Sequence, residues 1–158
     1  MANMVINTLY VSGKNKNVQR FIEDLKKHHE ENKPKGFMLP VMESKYIFDL
    51  IVVESDPMQL WFETKWDKIS SEDIVKIAET YNVALTYMYE ESGEPLYGIQ
   101  VVENKTSKIF ELDSSDFNNF TENEEGEILY RGETFDSYSE LCENLLIQKY
   151  PKAKKYFY

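Results

Sequence analysis

Residues 60–98, LWFETKWDKISSEDIVKIAETYNVALTYMYEESGEPLYG, spell strand, capped helix, strand, turn and strand, and this order commits the chain to a mixed fold of sheet and helix. Ser70 and Asp73 have the spacing of a capping box, with Asp in place of the longer Glu or Gln, and Ile69 and Ile74 sit where a hydrophobic staple closes. From Ser70 onward Ile74, Ile77, Ala78 and Tyr81 recur at intervals of three and four, so one face of the helix is apolar. Before it, Leu60, Phe62, Thr64 and Trp66 alternate with Trp61, Glu63, Lys65 and Asp67. After it, Leu85, Tyr87 and Tyr89 alternate with Thr86, Met88 and Glu90, the period of two that a strand imposes. Ser92, Gly93, Glu94 and Pro95 supply the turn that returns the chain through residues 96–102 as a hairpin partner.

The rest of the chain extends this pattern. Residues 3–11, NMVINTLYV, are nearly all apolar and rich in β-branched residues, which suits a central strand better than an edge. Val18, Phe21, Ile22 and Leu25 then give a helical stripe that fades toward Asn32, Lys33 and Pro34. Residues 37–42, interrupted by Pro40, read as a connection packed on the edge of the core. Residues 46–54, YIFDLIVVE, read as a strand, with Ser55, Asp56 and Pro57 turning into the next. The order β-α-β-β-α-β is the split β-α-β, ferredoxin-like arrangement, two helices on one face of an antiparallel sheet. Residues 108–112 extend the sheet by pairing back onto 99–102. Residues 111–127 carry seven carboxylates, no Lys or Arg, and after Leu112 only Phe117 and Phe120 as large apolar groups, so a loop or mobile insertion is expected there. A short strand over 127–130 leads to a third helix begun by Ser137 and Glu140, striped by Leu141 and Leu145 and ended by Pro151. The expected organisation is an α+β core over 1–112, with residues 113–158 as an acidic loop and helical appendage of the same folding unit.

Several function classes are disfavoured at once. A chain of 158 residues buries an adequate core without metal or disulfide, and the single Cys142 forms no internal disulfide. No apolar run approaches the roughly 20 residues of a membrane span, and no signal-peptide pattern opens the chain, so a cytoplasmic protein is expected. A formal charge of −10 argues against phosphate binding and for basic partners.

The opening MANMVINTLYVSG, the following VQRFIEDLKK, and the FETKWD and LTYMYEESGEPLYG segments resemble the ferredoxin-like domain family of small phage and plasmid proteins that includes the YubB-like proteins. The resemblance spans roughly residues 1–102. Met4 stands where that family has an aromatic residue, Glu63 where it has Gly, and no Pro pair follows Trp66. The resemblance implies a fold and a mobile-element origin, and it brings no catalytic residue.

The candidate sites read as follows. His28 and His29 are adjacent and cannot share one helix face as a metal pair, so they are expected to be solvated. Cys142 has no companion and is expected to be a small buried residue. Lys65, Trp66 and Asp67 could form a functional trio at a strand end, yet Trp66 shares the phase of Leu60 and Phe62, and core packing is the expectation. Trp61, Tyr87, Met88, Tyr89 and Tyr97 place aromatic and apolar bulk on the sheet, as in modules that stack RNA bases, but Glu63, Glu90 and Glu91 surround them. Asp113, Asp116, Glu122, Glu124, Glu125 and Glu127 could act together as a phosphate-like surface; no regular Ca²⁺ loop is present among them. The last ten residues, KYPKAKKYFY, hold four lysines and no acid. Tyr156, Phe157 and Tyr158 are expected to dock on the core, with lysines near the end of the third helix.

The expectation is therefore a non-enzymatic, cofactor-free accessory protein of a phage or other mobile element. It would bind, and inhibit, a host protein with a basic surface through Trp61, Lys65, Asp67 and the acidic stretch. The alternative is a nucleic-acid-binding module using sheet aromatics and the lysine tail.

Overall fold

The computed structural model describes residues 3–32, 36–43, 46–93 and 95–158. Met1 and Ala2 of the opening motif, Lys33 and Pro34 at the fading end of the first helix, and Glu94 of the hairpin turn lie outside the described residues.

Strands β1 (Met4–Ser12), β2 (Ile47–Val53), β3 (Met58–Lys65), β4 (Ala84–Glu91), β5 (Leu96–Glu103) and β6 (Thr106–Glu111) form one sheet in the order β2-β3-β1-β4-β5-β6. Every neighbouring pair is antiparallel. Helix α1 (Asn15–Asn32) joins β1 to β2 and leaves a gap that β3 fills; helix α2 (Ser71–Tyr81) joins β3 to β4 across β1. This is the split β-α-β order read from the sequence, and the α+β class stands. Beyond it lies a small sheet of β7 (Phe120–Glu122), β8 (Ile128–Tyr130) and β9 (Glu133–Phe135). Helix α3 (Tyr138–Lys149) and a 3₁₀ helix over Pro151–Tyr156 follow.

Local chemistry sets these boundaries. The Ser70 side chain accepts from the Asp73 amide at 3.2 Å, and Asn82 ends α2 in the left-handed conformation that Asn tolerates. The Ser137 side chain caps α3 in the same way, accepting from the Glu140 amide, while the Glu140 carboxylate reaches back to the Asp136 amide at 2.7 Å. The β5–β6 turn is tighter than the sequence suggests: Glu103 pairs with Thr106, leaving two residues, Asn104 and Lys105, both at positive φ as a two-residue hairpin loop requires.

Two apolar layers lie on opposite faces of the sheet. On the first, Val5, Leu9 and Val11 of β1 and Leu60 and Phe62 of β3 are buried with Phe21 and Leu25 of α1 and Ile74 and Ile77 of α2. A polar knot sits within this layer. The Asn7 amide, wholly buried, donates to Val5 O at 2.8 Å and Thr64 Oγ1 at 3.1 Å, and its oxygen accepts from the Tyr87 hydroxyl at 2.5 Å. The Ile69 amide donates to the same hydroxyl at 2.9 Å, which ties the start of α2 to β1 and β4. On the second face, Tyr97, Ile99 and Val101 of β5 pack with Ile128 and Tyr130 of β8 and with Leu141, Cys142 and Leu146 of α3.

Three expectations are overturned. Trp66 does not pack in the core: β3 ends at Lys65, the next residue turns to φ 70°, and the indole is 67% exposed. The alternation that aligned it with Leu60 and Phe62 stops one residue earlier. The acidic stretch is not simply a loop, because Phe117 and Phe120 both pack against Tyr138, at 6.0 and 5.9 Å between rings, and β7 pairs with β8. His28 and His29 are half-buried rather than solvated, His28 bonded to Asp24 O at 2.8 Å and His29 against the Phe37 ring.

Ile77→Asp should destabilise the chain by about 3 kcal/mol or more, since a carboxylate would be buried without a partner; an unchanged denaturant midpoint would remove this orientation of α2. Gly98 lies under the Tyr89 ring, and a Cβ there would meet the Tyr89 hydroxyl at 2.5 Å and Cζ at 2.7 Å. Gly98→Ala should therefore cost about 1–3 kcal/mol in native tyrosine and only in part less in a Tyr89→Ala background, because the Phe110 carbonyl would also lie 2.9 Å from the Cβ; a double-mutant cycle reads the tyrosine share.

Candidate functional site

The C-terminal unit covers the second face of the sheet over β4, β5 and β6, reaches Tyr10 at the end of β1 through Tyr158, and leaves that face bare over β2, β3 and the first half of β1. Antiparallel register fixes what lies there. Ile51, Trp61, Thr8 and Met88 form one row across β2, β3, β1 and β4; Phe48, Glu63, Ile6 and Glu90 form the next. Ile6, Ile51 and Trp61 are 54%, 55% and 46% exposed, and they are neighbours or diagonal neighbours in these rows. Diagonal partners on one face lie within reach of large side chains, so they make one apolar surface. Tyr10 continues it, with the Tyr158 ring 4.5 Å away.

Where the bare face meets α3 it sinks into a cleft of about 410 Å³, floored by Ile6, Thr8, Tyr10 and Met88 and walled by Ser139, Glu140 and Glu143. The Ser139 hydroxyl donates to the Glu90 carboxylate in the wall. Glu90, Glu140 and Glu143 give the lining of this cleft a negative charge, and burial, then the nearby Glu90 and Glu143 charges, push the Tyr97 hydroxyl well above its ordinary pKa. Glu63, Glu90, Glu140 and Glu143 border the apolar surface, against Lys65, whose ammonium sits 4.7 Å over the Phe48 ring.

The residues singled out from the sequence do not converge. Trp61 and Lys65 are both on the bare face. Asp67 is not: its carboxylate accepts from the Lys68 amide at 2.7 Å and its carbonyl from Thr64 Oγ1 at 2.7 Å, a turn role beside the polar knot. The aromatic and apolar residues of the sheet divide between layers, Tyr87 and Tyr89 toward the helices and Met88 and Tyr97 toward α3. Tyr89 donates to Glu111 at 2.6 Å, and Lys68 also donates to that carboxylate. Burial alone would raise the Glu111 carboxyl, but these two donors hold it below its ordinary value.

The acidic residues separate into two groups. Asp113 and Asp116 are clasped by Lys149 at 3.0 and 2.6 Å, at the end of α3. Glu127 accepts from the Asn123 side chain at 2.7 Å, whereas Glu122, Glu124 and Glu125 are exposed at the β7–β8 turn. Cys142 is fully buried, and burial pushes its thiol up to about 12, the opposite of an activated thiolate. Among the described residues no group of three or more His, Cys, Asp or Glu is placed to hold a metal ion, and no helix is long and apolar enough to cross a membrane. Ile6, Tyr10, Ile51, Glu140 and Glu143 were not legible as site residues. The one signal was the alternation of Ile6, Thr8 and Tyr10 against Val5, Asn7 and Leu9, two sets of similar polarity.

A family model described as a ferredoxin-like domain in Api92-like protein matches residues 47–132, more than half of the chain. No curated protein and no solved structure matches it. The matched stretch begins at β2, so the strand that completes its sheet, β1 between β3 and β4, is contributed from outside it.

The Lys149 clasp should be visible in acid. The Asp113 carboxyl is lowered from 3.8 to about 2, first by the Ser115 hydroxyl and then by Lys149. A carboxyl depressed on folding contributes stability that is fully present above its unfolded pKa of about 4 and is lost as pH falls from there through about 2. Lys149→Gln should flatten the fall of Tm across that window; identical acid dependence in both proteins would show that the clasp contributes nothing.

Proposed function

We propose, on the premise that the chain belongs to the family of ferredoxin-like domains found in Api92-like proteins, that it is a non-catalytic binding module whose bare half-sheet takes hold of a partner protein. The observation that carries this reading is the contiguity of Ile6, Ile51 and Trp61. Large apolar residues scattered singly on a surface mean little, but a joined set with a polar rim is the signature of an interface, and Trp and Tyr are the side chains that anchor one. The carboxylates of Glu63, Glu90, Glu140 and Glu143 select among partners: they favour a segment in which Lys or Arg flanks an apolar ridge, and they repel phosphate.

The resemblance to YubB-like proteins supports the finer reading of a phage or plasmid accessory protein acting in the host cytosol. An inhibitor of nucleic-acid-handling defence machinery fits the same chemistry, since such targets expose basic clefts. Nucleic-acid mimicry by the acidic stretch rests on Glu122, Glu124 and Glu125, because Asp113, Asp116 and Glu127 are already engaged within the chain. The nucleic-acid-binding alternative draws on the exposed Trp61 as a stacking platform.

Affinity capture from bacterial lysate, with identification of the retained protein, supplies the partner, and variants assign the surface. Trp61→Ala and Ile51→Ser should change folding stability by no more than about 0.5 kcal/mol and abolish capture. Glu63→Gln with Glu143→Gln should weaken binding and make it less sensitive to salt, since exposed charges are screened beyond about 8 Å at physiological ionic strength. Substituting Glu122, Glu124 and Glu125 by Gln should matter only if mimicry is the mechanism. Capture that survives Trp61→Ala and Ile51→Ser would overturn the proposal, and tight oligonucleotide binding lost with Trp61 would favour the alternative.

A further inference from the structure

We infer that the outer edge of β6 accepts an extended acidic segment of a partner protein, which joins the sheet as a further strand with its carboxylates in a lysine-lined groove. This surface lies at the far edge from β2 and does not depend on the bare-face reading.

The backbone argument comes first. β6 ends the sheet and pairs with β5 alone. The Leu112 amide donates to Tyr97 O at 3.0 Å, and the register places Ile99 opposite Phe110, Val101 opposite Lys108 and Glu103 opposite Thr106. Hydrogen-bonded and non-bonded pairs alternate along an antiparallel ladder, so Thr106, Lys108 and Phe110 turn their peptide groups toward β5. Those of Ser107, Ile109 and Glu111 turn outward. The Glu111 carbonyl accepts from the Tyr150 hydroxyl at 3.4 Å; Ser107 and Ile109 are exposed, and no described strand lies on their outward side, away from β5. The opposite edge differs. β2 is interrupted by a bulge, with Asp49 at φ 51°, and its first residue is bridged by Phe37. Such interruptions block strand addition, and β6 has none.

The side chains then choose the occupant. Lys108, Lys152, Lys154 and Lys155 line a groove of about 700 Å³ beside the edge, with Phe110 and Tyr156 in its floor. On the other face of β6 the Ile109 side chain is 49% exposed. Successive residues of an added strand point to opposite faces, so one set would meet four ammonium groups and the other would meet Ile109. A segment alternating acidic and apolar residues satisfies both. Strand addition draws affinity from main-chain hydrogen bonds and specificity from alternate side chains. A second copy of β6 would bring lysine against lysine, the arrangement that keeps sheet edges from self-pairing. A nucleic acid has no peptide groups to complete the ladder.

The test uses the full chain and a blocked synthetic peptide alternating glutamate and valine, with a lysine–valine peptide and a single-stranded oligonucleotide as comparators. The glutamate peptide should bind by calorimetry, and the amides of Ser107 and Ile109 should become protected from hydrogen exchange. Lys108→Gln, Lys154→Gln and Lys155→Gln together should weaken binding at least about tenfold. Ile109→Pro removes an outward N–H without breaking a bond to β5 and should abolish binding. If that variant does not fold, the lysine variant and the two amides decide. Binding that persists in folded Ile109→Pro, absence of protection at Ser107 and Ile109, tighter binding of the lysine peptide or the oligonucleotide, or dimerisation through β6 would each overturn the inference.

Discussion

One buried amide organises the sheet. Asn7 sits at the middle of β1 without solvent, and its donors and acceptor are satisfied by β1, β3 and β4 together, through Val5, Thr64 and the Tyr87 hydroxyl. A buried amide left unpaired costs about 1–3 kcal/mol per group, so the arrangement is stable only when all three strands hold their places. A slip of β1 by one residue would turn Asn7 to the opposite face and bring Ile6 or Thr8 to the knot, which makes register here a matter of hydrogen bonding as well as of apolar pattern. The same hydroxyl of Tyr87 receives the Ile69 amide, and Thr64 receives one donor while giving its own proton to the Asp67 carbonyl. The turn holding Trp66 is thereby fixed to the core, even though its indole is in water.

The second determinant is how far the C-terminal unit reaches. Its apolar groups, from Ile128 through Leu146 to Tyr156, cover β5 and the adjoining parts of β4 and β6, and Tyr158 reaches only as far as Tyr10. Beyond that line β1 and β3 keep the alternation of a two-sided strand with only one side covered. The bare face and its acidic cleft are consequences of this incomplete cover, and the cleft's wall is α3 itself.

Charge is arranged by the same unit. Lys149 bridges Asp113 and Asp116 and offsets one of their two charges where the chain leaves β6, and other carboxylates stand apart at the β7–β8 turn and along the cleft. Lys152, Lys154 and Lys155 are carried by the 3₁₀ helix to the β6 edge, beside Lys108. A chain of net charge −10 thus presents a cationic groove at the end of its sheet, separate from the negative cleft.

By itself the sequence determined the six strands of the main sheet, the three α-helices and their order, but not β7, β9 or the 3₁₀ helix. Helical stripes such as Ile74, Ile77 and Tyr81, caps such as Ser70 and Ser137, and period-two runs on either side of α2 are local signals, and the split β-α-β topology follows from their succession. The facing of Trp61 and Lys65 away from Leu60 and Phe62 was legible for the same reason. Tertiary structure decided everything that depends on distant partners. Trp66 left the core because β3 ended one residue sooner than its polarity pattern. The acidic stretch became ordered because Phe117 and Phe120 found Tyr138, a contact across the whole appendage. Which face of β1 stayed bare was undetermined in NMVINTLYV, where both faces are nearly equally apolar, and was settled only by where the C-terminal unit came to rest. Periodicity records the inside and outside of one element, whereas exposure is the result of how all the elements share a finite amount of apolar cover.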